Sequence, residues 1–256
     1  AAITLFGIFQ HARVLLGALI ASLFISLGGL GMAGPALVVM SRVPSPDGKS
    51  RLGGIMKPEQ RERLQWAFLL DALDKFGLSA EIKCFVAATP AGQIGKLAES
   101  IGTSVEIIPQ VEGDLGQRML AVAREMFYRG HAPQLLIGAD VPAMSWAYLL
   151  KALDMLKQVQ LVLGPTTDGG YYLIGMIEPE RRLFEGISWG TDRVMRETLA
   201  VCDRYHFKYD LLEPLRDIDL PGDLEAALKQ LNEMRSLLQP GPRRTLEFLN
   251  KFLKNL

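Results

Sequence analysis

Four short stretches of this 256-residue chain hold most of the side chains able to do chemistry. The first is Ser41-Arg-Val-Pro-Ser-Pro-Asp-Gly-Lys49-Ser-Arg51-Leu52, a polar loop with two prolines, a glycine and three cations. Such a loop can wrap polyphosphate: backbone N–H groups approach closely, while Lys49 and Arg51 supply charge and bidentate contacts. It reads equally as a solvated basic surface loop. The second, Leu135-Leu-Ile-Gly-Ala-Asp140-Val-Pro, delivers one carboxylate to the end of an apolar strand. Mg²⁺ and Mn²⁺ favour oxygen ligands and are often held by one or two carboxylates plus substrate phosphates; the alternative is that Asp140 caps the next helix. The third, Gly164-Pro-Thr-Thr-Asp168-Gly169-Gly170-Tyr171-Tyr172, is either a hairpin turn using glycine for positive φ or a ligand-side turn. In the second case the Asp168 carboxylate orients a sugar hydroxyl or acts as a base. The fourth is Leu215-Arg216-Asp217-Ile218-Asp219-Leu220-Pro221-Gly222-Asp223-Leu224. Here Asp219 either caps a helix opened by Pro221 or, with Asp217 alternating to the same side, joins Asp140 around one divalent ion.

Two further stretches carry weaker signals. Gly113-Asp114-Leu115-Gly116-Gln117-Arg118 opens a helix and can meet a nucleotide base or phosphate, with Asp114 also a helix N-cap. Ile187-Ser-Trp189-Gly190-Thr191-Asp192-Arg193 leads into another helix; Trp189 either stacks on a sugar or serves as an aromatic staple. The Ser41–Leu52 loop matches neither the G-x-x-x-x-G-K-S/T nor the G-x-G-x-x-G spacing. The three histidines lack metal-ligand spacing, and none is a plausible partner for a serine nucleophile, so a serine hydrolase is unsupported. Cys84 and Cys202 read as buried, inert thiols.

The elements that must position these residues follow from hydrophobic periodicity. Short apolar runs predict strands at 36–40, 82–87, 105–108, 135–138, 161–163, 171–177 and 207–211. Amphipathic spacing predicts helices at 58–76, 91–101, 115–129, 145–157, 191–202 and 220–238, with a terminal helix after Pro242. Strand–helix alternation with continuous apolar strands implies an α/β fold: a mostly parallel sheet with helices on both faces. In such sheets ligands bind outside the carboxyl ends of the strands, where the polar stretches above fall.

Composition sets the outer bounds. Lys+Arg and Asp+Glu both number 28, and zero net charge argues against a nucleic-acid-binding protein. A chain that is 49% hydrophobic is not disordered, and two cysteines exclude a disulfide scaffold. The charge is unevenly spread: from Ala1 to Ser41 the only charged side chain is Arg13. Residues 14–34 lie in a long uncharged stretch that reads as a membrane tether, a cleaved signal, or sequence outside the working protein. The last reading rests on Met32, which opens MAGPALVVMSR as a natural start would. The expected division is therefore an apolar segment at 1–34 and a catalytic domain at 35–256.

In this order, LVVMSRVPSP…KSRL, GDLGQRM, LLIGADVP, LGPTTDGGYYLIGM, LFEGISWGTDRVMRETL and LRDIDLPGDLEAAL resemble one family. It is that of the small bacterial GT-A-type glycosyltransferases of the arsenosugar-biosynthesis type, formerly a domain of unknown function. The layout is also similar to the nucleotidyltransferases that make phospholactate-type and molybdopterin-type dinucleotide cofactors. The resemblance implies a GT-A, Rossmann-like nucleotide-diphospho-sugar transferase fold acting with Mg²⁺ or Mn²⁺. It implies Asp140, Asp219 and Asp217 on the metal, and Lys49 and Arg51 on the phosphates, with Ser41, Asp114 and Arg118 on the nucleotide. Gly169, Gly170 and Trp189 would line the acceptor or sugar side, with Asp168, then Asp192, as base. The expected partners are a nucleotide-sugar donor and an unknown acceptor, and the expected location is the cytoplasm, free or tethered to the inner membrane face. The alternatives are a nucleotidyltransferase using a nucleoside triphosphate and a non-catalytic nucleotide-binding protein. One departure stands out: the family pattern P-x-P-G-x-x-K-T-R-L is a residue shorter here, with the glycine moved to Gly48.

Overall fold

The computed structural model describes residues 33–77, 79–102, 105–234 and 240–256. The readings placed on residues 1–32, including the tether, signal and start-site alternatives, lie outside the described residues. Gly34–Leu256 forms one compact unit. No helix among the described residues is long and apolar enough to cross a membrane.

Among the described residues seven strands form one sheet: β1 (Ala36–Arg42), β2 (Lys83–Thr89), β3 (Glu106–Pro109), β4 (Gln134–Gly138), β5 (Leu161–Pro165), β6 (Tyr171–Met176) and β7 (Tyr209–Leu211). Their order is β3-β2-β1-β4-β6-β5-β7. The pairs β1/β2, β2/β3, β1/β4 and β5/β7 are parallel, and β6 runs antiparallel between β4 and β5. Seven α-helices pack around the sheet among the described residues: α1 (Pro58–Phe76), α2 (Ile94–Ile101), α3 (Leu115–Tyr128), α4 (Trp146–Met155), α5 (Val194–Tyr205), α6 (Pro221–Glu233) and α7 (Arg243–Leu253).

The pleat explains why β1 is apolar throughout. Leu37 and Val39 enter one core with α1, α2, α4, α6 and α7, while Ala36 and Val38 enter the other with α3 and α5. Each fully buried Leu, Val or Phe stabilises by ~1.5–3 kcal/mol, so these two layers dominate the fold. The mostly parallel α/β sheet with helices on both faces is therefore as the sequence predicts.

Element ends differ in a few places. Ala91–Gln93 forms a 3-10 turn ahead of α2, following Pro90. The helix expected from Thr191 begins at Val194 instead. The Thr191 hydroxyl donates to Ser188 O and accepts from Arg193 N, which holds a bend where the helix would have started. Helix α6 ends at Glu233, and residues 235–238 of its expected extent lie outside the described residues.

Candidate active site at the carboxyl edge of the sheet

The topology brings the chemical residues together. Parallel strands β1, β2, β3 and β4 end at the same edge, so Ser41 and Arg42, Gln110, and Asp140 emerge there. Antiparallel β6 starts where β4 ends, with Leu173 opposite Ile137, and so returns the Asp168-Gly169-Gly170 turn to that edge. The segment after β7 follows alongside: Leu215 bridges Thr166, and Ile218 N donates to Asp140 O at 3.1 Å. Asp217 and Asp219 are thereby carried next to Asp140.

Lys49 lies at the centre. Its ammonium is 2.7 Å from Asp140 Oδ2 and 3.3 Å from Asp219 Oδ1, and Arg51 Nη1 is 2.8 Å from Asp219 Oδ2. Burial pulls the Lys49 pKa down, but Asp140 and Asp219, with Asp217 behind them, more than reverse this and hold it above the ordinary lysine value. Asp140 is the mirror case: burial raises its pKa, and the Lys49 ammonium brings it below the usual carboxylate range. Asp217 has no such partner. Burial, then the charges of Asp140 and Asp168, push it up to about 6 despite Lys49.

The loop that carries Lys49 is fastened to α1. Arg61 donates to the carbonyls of Gly48, Met56 and Pro46, and Gln65 donates to Ser45 O. A Cβ at Gly48 would lie 2.0 Å from Gln65 Oε1, so any larger residue there would push aside the end of the Gln65 side chain. Lys49 itself is left-handed, at φ 48° and ψ 46°. Neither Arg61 nor Gln65 was singled out from the sequence; their i, i+4 spacing on the helix after the loop was the available signal.

The open alternatives resolve locally. Asp219 does not cap α6: the Asp223 carboxylate accepts from Asp219 N and Leu220 N, leaving Asp219 to the cations. Asp140 does not cap α4, which opens at Trp146 after Ser145. The Asp168 carboxylate accepts from Thr166 Oγ1 and Gly170 N, so it shapes its own turn while facing the cluster. Gly169, at φ 94°, lies against the backbone of Asp192: a Cβ there would be 2.2 Å from Asp192 O. Asp192 is exposed beside that turn.

The remaining candidates are placed more by packing. Asp114 caps α3 by accepting from Gln117 N, in a reciprocal capping box. Arg118 donates to Gln110 Oε1 and Asp114 O, and burial together with the nearby Arg42 lowers its pKa. Gln110 is 6% exposed and binds the carbonyls of Ser41 and Ala87, tying β1, β2 and α3 at the edge. Trp189 packs edge-on against Tyr171 and against Gly116, where a Cβ would lie 2.4 Å from its Nε1.

Lys75 was not anticipated either. It is 6% exposed and donates to Pro142 O at 3.1 Å and Met144 O at 2.6 Å, on the segment directly after Asp140. Trp146 Nε1 returns a bond to Lys75 O at 2.8 Å. Burial pushes the Lys75 pKa down to about 8, against the pull of Asp71.

A divalent cation can be tested against this donor set. The carboxylates are all-oxygen and outnumber the cations they face, which suits Mg²⁺ or Mn²⁺. No group of three or more His, Cys, Asp or Glu is arranged to hold one ion among the described residues. The three-carboxylate set expected with Asp217 is thus not formed, and Asp140 and Asp219 would suit such an ion only as a pair whose shell substrate phosphates complete.

The fold is shared with known structures. The chain is similar to the structure of a "putative nucleotide-diphospho-sugar transferase" from Desulfovibrio desulfuricans G20, with 24% identity, TM-score 0.72, and coverage of 82% of this chain and 97% of that one. Weaker likenesses are to 4-diphosphocytidyl-2C-methyl-D-erythritolsynthase from Anaerococcus prevotii DSM 20548 (10% identity, TM-score 0.50, 76% and 94% covered) and to the Mycobacterium tuberculosis rv0371c homolog from mycobacterium sp. strain JC1 (14%, 0.51, 78% and 97%). The fold is thus the Rossmann-like α/β fold of nucleotide-diphospho-sugar transferases. Residues 72–191, just under half of the chain, match the family described as "Uncharacterized protein conserved in bacteria (DUF2064)". The resemblance drawn from the sequence motifs is thereby supported. No curated protein matches the chain.

Proposed function

We propose that the protein is a transferase that moves a glycosyl group from a nucleoside diphosphate sugar to an acceptor hydroxyl. The observation that carries this reading is the convergence of Lys49, Asp140, Asp217, Asp219 and Asp168 at one sheet edge beside a basic loop. Lys49 and Arg51 donate to the diphosphate and stabilise it as it departs with the glycosidic electron pair. A divalent ion held by Asp140 and Asp219, with Asp217 adjacent, would supply further charge neutralisation on the leaving group. Asp168 takes the proton of the acceptor hydroxyl as its oxygen bonds to the anomeric carbon. Asp192, next to the same turn, is the second candidate for that base. Ser41 and Arg118 flank the nucleotide side of the crevice, and Asp114 shapes it by capping α3. The space beside Gly169 is taken by the Asp192 backbone, so Gly170 is the glycine of the turn that would meet the sugar or acceptor, with Trp189 packed on the following Tyr171. The donor would be met in the cytoplasm, where nucleotide sugars are made.

A thermal-shift panel of nucleotide sugars and nucleoside triphosphates, with and without Mn²⁺, tests this. At a ligand concentration ~100 times Kd, mass action adds ~2.7 kcal/mol of stability. Selective stabilisation by one nucleotide sugar, followed by release of its nucleoside diphosphate on turnover, is the expected result. Pyrophosphate released from a triphosphate would replace this reading with nucleotidyl transfer. Binding without any product would leave a nucleotide-binding protein.

A further inference from the structure

The Lys49 ammonium sits in the position where a cation would bridge Asp140 and Asp219. It contacts one oxygen of each, at 2.7 and 3.3 Å, and its side chain is only 13% exposed, against 58% for neighbouring Arg51. A Mg²⁺ or Mn²⁺ ion bound by those oxygens would lie ~2.1 Å from them. The ammonium and the ion cannot both occupy the space between the same two carboxylates.

We infer that Lys49 is a resident counter-cation of the Asp140–Asp219 pair, which a divalent ion displaces and which then turns to the phosphates of the arriving ligand. This rests on the reading that the site takes a divalent ion. Three further features favour such an exchange. Lys49 is one of two non-glycine residues with positive φ among the described residues, so its backbone is held in an uncommon conformation by the contacts around it. The adjoining backbone of residues 45–48 is pinned to α1 by Arg61 and Gln65, so the flexible four-carbon stem can swing without the loop moving. The ammonium also lies 5.9 Å from the centre of the Phe68 ring, an apolar support for the stem on its inner side. The consequence is that the Asp140–Asp219 pair carries its own counter-charge, while Lys49 becomes a phosphate-binding group only once the ion has arrived.

The test uses the full chain and two readouts. Mn²⁺ affinity is measured by electron paramagnetic resonance for wild type, Lys49→Gln and Arg51→Gln, with circular dichroism to confirm folding. If the paired form is ~90% populated, removing Lys49 tightens Mn²⁺ binding about tenfold. Arg51→Gln deletes the same charge without vacating the bridging position and should change affinity by less than about threefold. Independently, an amine-reactive reagent labels Lys49 in the wild-type protein, read by peptide mass spectrometry. Saturating Mn²⁺ should speed Lys49 labelling, and added inorganic pyrophosphate should slow it again. Equal or weaker Mn²⁺ binding by folded Lys49→Gln, or labelling unmoved by saturating Mn²⁺, overturns the inference while leaving the metal reading intact. Absence of Mn²⁺ binding in all three proteins, with and without inorganic pyrophosphate to complete the shell, overturns the metal reading itself.

Discussion

At the contact between α1 and α7, the Asp71 carboxylate accepts from the backbone N–H groups of Arg244 and Thr245, and the Arg244 guanidinium reaches both Asp71 and Asp74. One turn further along α1, the Lys75 ammonium gives its hydrogen bonds to two carbonyls. Buried charge there is spent on backbone groups that would otherwise be orphaned, including the first amides of α7. At the carboxyl edge of the sheet the balance is different. Asp140 and Asp219 share the charge of Lys49, while Asp217 is left beside other carboxylates with its pKa pushed up to about 6. The first cluster serves folding and is complete. The second is strained by like charge and is completed by a ligand. Buried charge alone therefore does not mark a site; the mark is charge left unbalanced by the chain's own groups.

That contrast can be broken at either end. The largest effect is expected from Asp140→Ala, which removes a carboxylate of the open cluster: turnover should fall about a thousandfold, equivalent to ~4 kcal/mol. Urea denaturation of the same variant should show little loss of stability. Asp71→Ala should do the reverse, costing ~3 kcal/mol in urea denaturation because it strands the α7 amides and the Arg244 charge, while Mn²⁺ affinity stays at the wild-type level. If Asp71→Ala instead alters Mn²⁺ affinity, the two clusters are coupled and the division fails.

Lys75 gives a smaller effect with a defined sign. Its folded pKa is lowered from the ordinary 10.5 to about 8, so the folded state sheds its proton first as pH rises. Stability should therefore increase between pH 8 and 10.5, with wild type gaining roughly 2 kcal/mol over Lys75→Met across that window. Parallel urea titrations at both ends of the window check this. The smallest effect belongs to Asp217. Its raised folded pKa makes the charged form unfavourable, a penalty that is absent below about pH 4 and complete above about pH 6. Asp217→Asn should raise stability at pH 7.5 by about 1 kcal/mol, a figure reduced for solvent screening of a partly exposed group. The gain should vanish at pH 4.

Much of this arrangement is legible in the sequence, for identifiable reasons. The run at Leu135 ending near Asp140 announces both a buried strand and the carboxylate at its end, because a parallel strand must be apolar on both faces. Helix α1 is predicted to its last residue, since Pro58 sets the start and Gly77 follows the end. Asp114 reads as an N-cap and is one. What the sequence hides is pairing across long separations. Nothing local shows that Lys49 meets Asp140 and Asp219, residues 91 and 170 positions away. Nor does it show that Asp223, not Asp219, caps α6. Lys75 looks like a surface residue on an amphipathic helix; only the tertiary fold places two carbonyls over it.

Among the described residues the sheet is open, and its two borders have a consequence outside catalysis. The outermost strands are β3, with four residues, and β7, with three. At β3, Pro109 has no N–H to offer a neighbour, and Glu106 carries a charge engaged by Arg129. At β7, Asp210 adds another charge. The long hydrophobic strands β1, β2 and β4 are all interior. Short, charged and proline-bearing borders are poor templates for strand addition from another chain. Aggregation at high concentration should therefore begin from unfolded protein, with the native sheet edges contributing little.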